Sequence, residues 1–181
     1  LDLDAKFGVC RFPKKESDGT YRRYEVGKTP KSKTAIVTGE LDQTLKSYIL
    51  AMRTPILYDA FIRSLVIWTV DASGQLFYSF EEFSEEFDSK LTCVASLNLK
   101  YISGIKCLKL GHPTLLNFEE ARATGELAIA PPEDKSVDAY INGRSGRYCR
   151  GDKTRVPTVR QLQNVADLFS SAVGLRFKAR L

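Results

Sequence analysis

The stretch Ser64 to Phe80, SLVIWTVDASGQLFYSF, constrains this chain more than any other part of it. It is dense in β-branched and aromatic residues and is cut by Asp71-Ala72-Ser73-Gly74, a turn signal, so it reads as a β-hairpin. A second constraint lies near the C-terminus, where TVRQLQNVADLFSSAVG places Val159, Leu162, Val165, Ala166, Leu168 and Phe169 on one broad helical stripe. Pro157 or Thr158 opens that helix and Gly174 ends it. Asp42 before QTLKSYILAM reads as an N-cap, with Leu45, Ile49 and Met52 on the buried face, and Pro55 breaks or restarts the helix. Strands are expected in KTAIVTGEL, in two parts of LTCVASLNLKYISGIKCLKLG and in GELAIA, with a short helix in TLLNFEE. The length of 181 residues suits one well-cored domain. The expected fold is therefore α+β: a single domain over 35–181, with antiparallel strands, a few packed helices and a basic N-terminal arm over 1–34. Trp68, Leu162 and Phe169 are read as core.

Enzyme chemistry finds little support. Gly27-Lys28-Thr29 resembles the end of a phosphate-binding loop, but the pattern needs a glycine where Arg22 stands, and Pro30 sits where the helix should start. His112, the sole histidine, lies between Gly111 and Pro113 in a turn, with neither nucleophile nor base beside it in sequence. The cysteines, Cys10, Cys93, Cys107 and Cys149, form no C-x-x-C pair, so they read as free thiols of a reducing, cytosolic compartment. No catalytic residue, metal site or cofactor is expected. The acids between Glu81 and Asp88, with Phe83 and Phe87 four apart, read as a short amphipathic helix with a solvated acidic face. Arg150-Gly151-Asp152 is a tripeptide that carries meaning only on an extracellular loop tip. No run reaches the roughly 18 apolar residues of a membrane span, and the first residues lack the layout of a secretory signal.

The charge map is the remaining signal. The net charge of +5 is concentrated in two places. Residues 1–34 hold nine Lys or Arg against five acids, Lys14, Lys15, Arg22 and Arg23 among them. The loop NGRSGRYCRGDKTR spaces Arg144, Arg147, Arg150 and Lys153 three apart among glycines and closes on Arg155. Guanidinium forks pair bidentately with phosphate, and glycines let a backbone follow a polymer. Tyr21, Tyr24 and Tyr148 stand among these cations, where rings can stack on exposed bases. These nine cationic residues are the expected contacts to RNA or to an anionic membrane surface, which charge alone does not separate. The acidic segment set against basic ends also allows copies of the chain to meet head to tail.

AKFGVCRF followed by YRRYE, then KTAIVTGEL, TLKSYILAM and a second apolar segment, resembles the order of elements in rhabdovirus matrix proteins. IRSLVIWTVDASGQL before an acidic segment likewise resembles the middle of some of them, and the resemblance covers residues 5–100. It implies a non-enzymatic role in host cytoplasm and virion: self-association, condensation of a nucleocapsid and attachment to an anionic membrane. A P-P-x-Y motif, found in that family, is missing from the sequence. A viral coat protein packaging single-stranded RNA on the strands TAIVTGEL, SLVIWTV, TCVASLNLKY and ELAIA is the alternative, and a cellular RNA-binding module without assembly is the third.

Overall fold

Among the described residues the hairpin is part of a six-stranded sheet. The structure, a computed structural model, describes residues 2–60, 66–82, 109–149 and 152–181, without the side chains of Ala60 and Lys153. Strands β2 (Val66–Asp71) and β3 (Leu76–Phe80) pair antiparallel around the expected turn, where Gly74 at φ +87° takes the left-handed position. The other strands are β1 (Thr34–Ala35), β4 (Ala121–Ile129), β5 (Ala139–Asn142) and β6 (Phe177–Ala179). The order is β1-β3-β2-β4-β5-β6, antiparallel except for the parallel pair β5 and β6. The fold class is α+β.

Every residue of β2 from Val66 to Val70 is buried, so both sheet faces are covered at the centre. On one face lies α4 (Val159–Val173), whose Leu162, Val165, Ala166, Phe169, Ala172 and Val173 join Val66, Trp68, Val70, Leu127 and Ile141 in the main core. Phe169 stacks on Phe177 of β6 with ring centroids 5.4 Å apart. The helix starts where the sequence places it: Thr158 and Gln161 form a reciprocal capping box, and Gly174 closes it at φ +69°. Helix α2 (Gln43–Met52) begins with Asp42 Oδ1 accepting the Leu45 N–H at 2.9 Å, and Asp42 Oδ2 accepts the Tyr78 hydroxyl at 2.6 Å. Pro55 restarts the chain as α3 (Pro55–Ala60). On the opposite face, a 3-10 turn at His112–Leu115 lies against β2 and β3.

Gly125 of β4 explains the glycine inside a strand. A Cβ there would meet the Asn142 carbonyl oxygen at 1.8 Å and the Trp68 ring at 2.6 Å. The close approach of backbone and indole leaves no room for a side chain.

The N-terminal arm lies along the domain instead of standing off it. Helix α1 (Leu3–Phe7), within the expected arm, is capped by Asp2 and seats buried Phe7 in the core. Asn164 of α4 donates to the Lys6 carbonyl at 2.8 Å, and Arg122 of β4 pairs with Asp4. Arg11 and Ala121 exchange both backbone hydrogen bonds at 2.9 Å. The strand expected in KTAIVTGEL shrinks to Thr34–Ala35, because Val37 to Glu40 turns away with Gly39 at φ +90°. Strand β4 starts four residues before GELAIA, at Ala121.

The solvated acidic face is corrected at its start. Glu81 and Glu82 are buried, because Glu82 accepts the backbone N–H groups of Lys31 and Ser32 at 2.8 and 2.7 Å, and Glu81 pairs with Lys109 at 2.6 Å. The rest of that expected helix, residues 83–88, lies outside the described residues, as do the expected strands at 91–108, Cys93 and Cys107.

Candidate functional site

The candidate site is a groove where the N-terminal segment meets the loop that precedes α4. Residues 10–15 run beside β4, anchored by the Arg11–Ala121 bridge and by the Lys14 N–H, which donates to the Arg147 carbonyl at 2.7 Å. Glu16 and Thr20 then close a turn, and the chain returns through Tyr21. Against this segment, Lys153–Arg155 forms a 3-10 turn, and Asp152 holds Arg155 by an ion pair at 3.1 Å. Arg155 Nη1 donates to the Phe12 carbonyl at 3.4 Å. The groove is shallow and open, with a volume of about 620 Å³, and has Arg11, Lys14, Lys15 and Arg155 as its cations, Phe12 and Tyr21 as its rings and Glu120 as its acid.

Among the described residues, three of the expected anion-contact residues converge on this groove: Lys14, Lys15 and Arg155. Arg144 is exposed at a separate apolar pocket of about 420 Å³, together with Gly143, Gly146, Cys149, Val156 and Leu181. Arg23 is exposed but does not line the groove. Arg22 is spent on Glu16 at 2.8 Å and on the Tyr24 hydroxyl at 3.1 Å. Arg150 and the side chain of Lys153 lie outside the described residues.

Arg147 is a correction. It was expected to face a polyanion, yet it is 7% exposed and points inward. Its Nη1 pairs with Glu25 at 2.9 Å and Glu16 at 3.1 Å, and its Nε donates to the Lys14 carbonyl at 3.4 Å. Glu25 is itself 1% exposed and accepts the Gly111 N–H at 3.0 Å. Burial pushes the Glu25 carboxyl above its usual range, against the pull of Arg147. Three-residue spacing misled here because a turn at 146–149 sends successive cations in different directions, and a buried carboxylate captures the one that faces it. Tyr148, expected to meet bases, is also buried, with its hydroxyl donating to the Glu119 carbonyl at 3.0 Å.

Arg11 and Phe12 are groove residues that the sequence reading did not single out. The signal was present in C-R-F-P-K-K, an aromatic residue enclosed by cations. What the sequence did not show is that Arg155, 143 positions from Phe12, closes the same groove.

Burial sets the protonation of the thiols and of the histidine near this region. Burial raises the Cys10 thiol, although Arg122 opposes it, and burial likewise raises Cys149. His112 is buried with its Nε2 2.8 Å from the Gly125 carbonyl, and desolvation lowers its pKa to about 4, so at neutral pH it is an uncharged donor to that oxygen. Among the described residues no three His, Cys, Asp or Glu side chains gather as metal ligands, and no helix is long and apolar enough to cross a membrane. No known family model, curated protein or solved structure matches this chain.

Proposed function

We propose that this chain is a non-enzymatic structural protein of the viral matrix or coat kind, which binds RNA through the Arg11–Lys14–Lys15–Arg155 groove and associates with copies of itself. The observation that carries the reading is the convergence of four cations and two aromatic rings from distant parts of the chain on one concave surface. Phosphodiesters pair with guanidinium forks and ammonium groups, and each phosphate neutralised releases counterions. A groove suits a strand that can enter it, whereas a bilayer presents its phosphates as a plane. Self-association rests on the remaining acids of the segment at 81–88, Glu85, Glu86 and Asp88, set against the basic segments of the sequence.

The test is anisotropy of fluorescein-labelled single-stranded RNA over a salt series, with the wild-type chain and a Lys14→Ala/Lys15→Ala variant. The wild type should lose affinity linearly in log salt, and the variant should bind more weakly with a slope smaller by about one for each phosphate contact removed. Equal binding by both proteins would place the RNA elsewhere. Tight binding to phosphatidylserine vesicles with none to RNA would favour a membrane role. Light scattering of the same samples should show particles that dissolve as salt rises, and a monomer under all conditions would remove the assembly half.

A further inference from the structure

We infer that Phe12 and Tyr21 form a stacking platform for unpaired bases, so that the groove selects single-stranded over duplex RNA. This deepens the RNA-binding reading and rests on it. Phe12 is 56% exposed on the wall of the groove, while the next residue, Pro13, is buried. Its exposure is not slack in a loop, because the backbone is fastened on three sides. Arg11 before it is bridged to Ala121, Arg155 donates to its own carbonyl, and Lys14 beyond it donates to Arg147. A large ring is thus held more than half in water beside four cations.

Tyr21 is fixed from another direction. Its ring lies 4.5 Å from that of Phe118, and Lys15 Nζ stands 5.6 Å from its centroid. Phe118 reaches it from an unusual backbone: Asn117 and Phe118 sit at φ +51° and +66°, the left-handed region that side-chain-bearing residues seldom occupy. Phe118 N–H to the Pro113 carbonyl at 2.8 Å, Glu119 N–H to the Leu116 carbonyl at 3.0 Å and the Tyr148 hydroxyl on the Glu119 carbonyl hold that turn in place. Strain of this sort persists where the surroundings enforce a particular side-chain position. The position enforced here is a ring tilted at 40° against Tyr21.

Phosphate chemistry alone needs no rings. Base stacking on aromatic side chains is tolerant of sequence and needs bases with a free face, which a single strand offers and a duplex does not. Cations beside the rings take the backbone phosphates of the same nucleotides.

The experiment compares labelled oligouridylate, a duplex RNA of equal length and inorganic polyphosphate as competitor, with wild type, Phe12→Ala and Phe12→Trp. Wild type should prefer the single strand to the duplex. Phe12→Ala should bind oligouridylate about tenfold more weakly, keep its salt slope and compete unchanged with polyphosphate. Phe12→Trp should keep affinity, and its added fluorescence should be quenched by oligouridylate and not by polyphosphate, above the constant signal of buried Trp68. Thermal melts of both variants should match the wild type, since the ring is exposed. If Phe12→Ala binds all three ligands as the wild type does, or the duplex binds as well as the single strand, the platform is wrong while the cationic groove stands. If the wild type binds neither oligouridylate nor polyphosphate, the groove itself is wrong.

Discussion

The sheet covered by α4 and the junction between residues 10–25 and the loop at 142–155 are held by opposite forces. The first is apolar: Trp68, Leu127, Leu162 and Phe169 are fully buried against one another. The second has few apolar side chains, with Ala121, Tyr148 and Cys149 as its small core and Leu116 packed beside them. It depends on a buried ion pair, Glu25 with Arg147, and on backbone hydrogen bonds between distant segments. Apolar packing tolerates shifts of partner so long as volume is conserved, whereas a buried charge needs its own counter-charge. A cationic surface can therefore be positioned by charges only if some of them are withdrawn from it.

The largest loss of stability is expected at the sheet. Gly125→Ala should cost more than about 4 kcal/mol, because the new methyl meets the Asn142 carbonyl and the Trp68 ring. Circular dichroism should show a chain that melts far below the wild type or fails to fold. A melt within a few degrees of the wild type would mean that β4 and β5 are not this close.

At the junction the effect should be smaller and of another kind. Glu25→Ala should lose about 3 kcal/mol by leaving Arg147 buried without its closest partner. A Glu25→Leu/Arg147→Met pair should recover part of that loss in urea unfolding, since it removes both charges together. If the double variant is as unstable as the single one, the pair is not what fastens the segment.

Acid titration should give the smallest effect and separate the two regions by sign. Asp134 is held down to about 2 by the Tyr140 hydroxyl and by Ser136, and Asp138 is held low because its hydrogen bonds and charge contacts to Arg176 and Arg53 outweigh its burial. A carboxylate depressed in the folded state stabilises above its unfolded pKa of about 4. That stabilisation is lost as pH falls through the lower folded value. Glu25 runs the other way: its raised folded pKa makes protonation favour the folded state as pH falls toward the ordinary carboxylate range. The urea midpoint of Asp134→Asn should therefore drop less between about pH 4 and pH 2 than that of the wild type. An unchanged drop would mean that Asp134 is not a source of the acid sensitivity.

Much of the sheet side is legible in sequence because its signals are local. The turn at 71–74, the Asp42 and Thr158 caps and the stop at Gly174 each act within a few residues of themselves. The junction is not legible in this way. Nothing near Arg147 marks it as buried, since its partner Glu25 lies 122 positions away. Phe12 reads as one aromatic residue in a basic run until Arg155 is placed beside it.

Read by itself, the sequence determines an α+β chain with a hairpin at 64–80, a capped amphipathic C-terminal helix and an excess of cations at 1–34 and 142–155. Which cations face outward together and which are consumed inside depends on contacts between segments far apart in the chain. Periodicity and capping are properties of neighbours along the chain, but the fate of a charge depends on which carboxylate folding brings within about 3 Å of it.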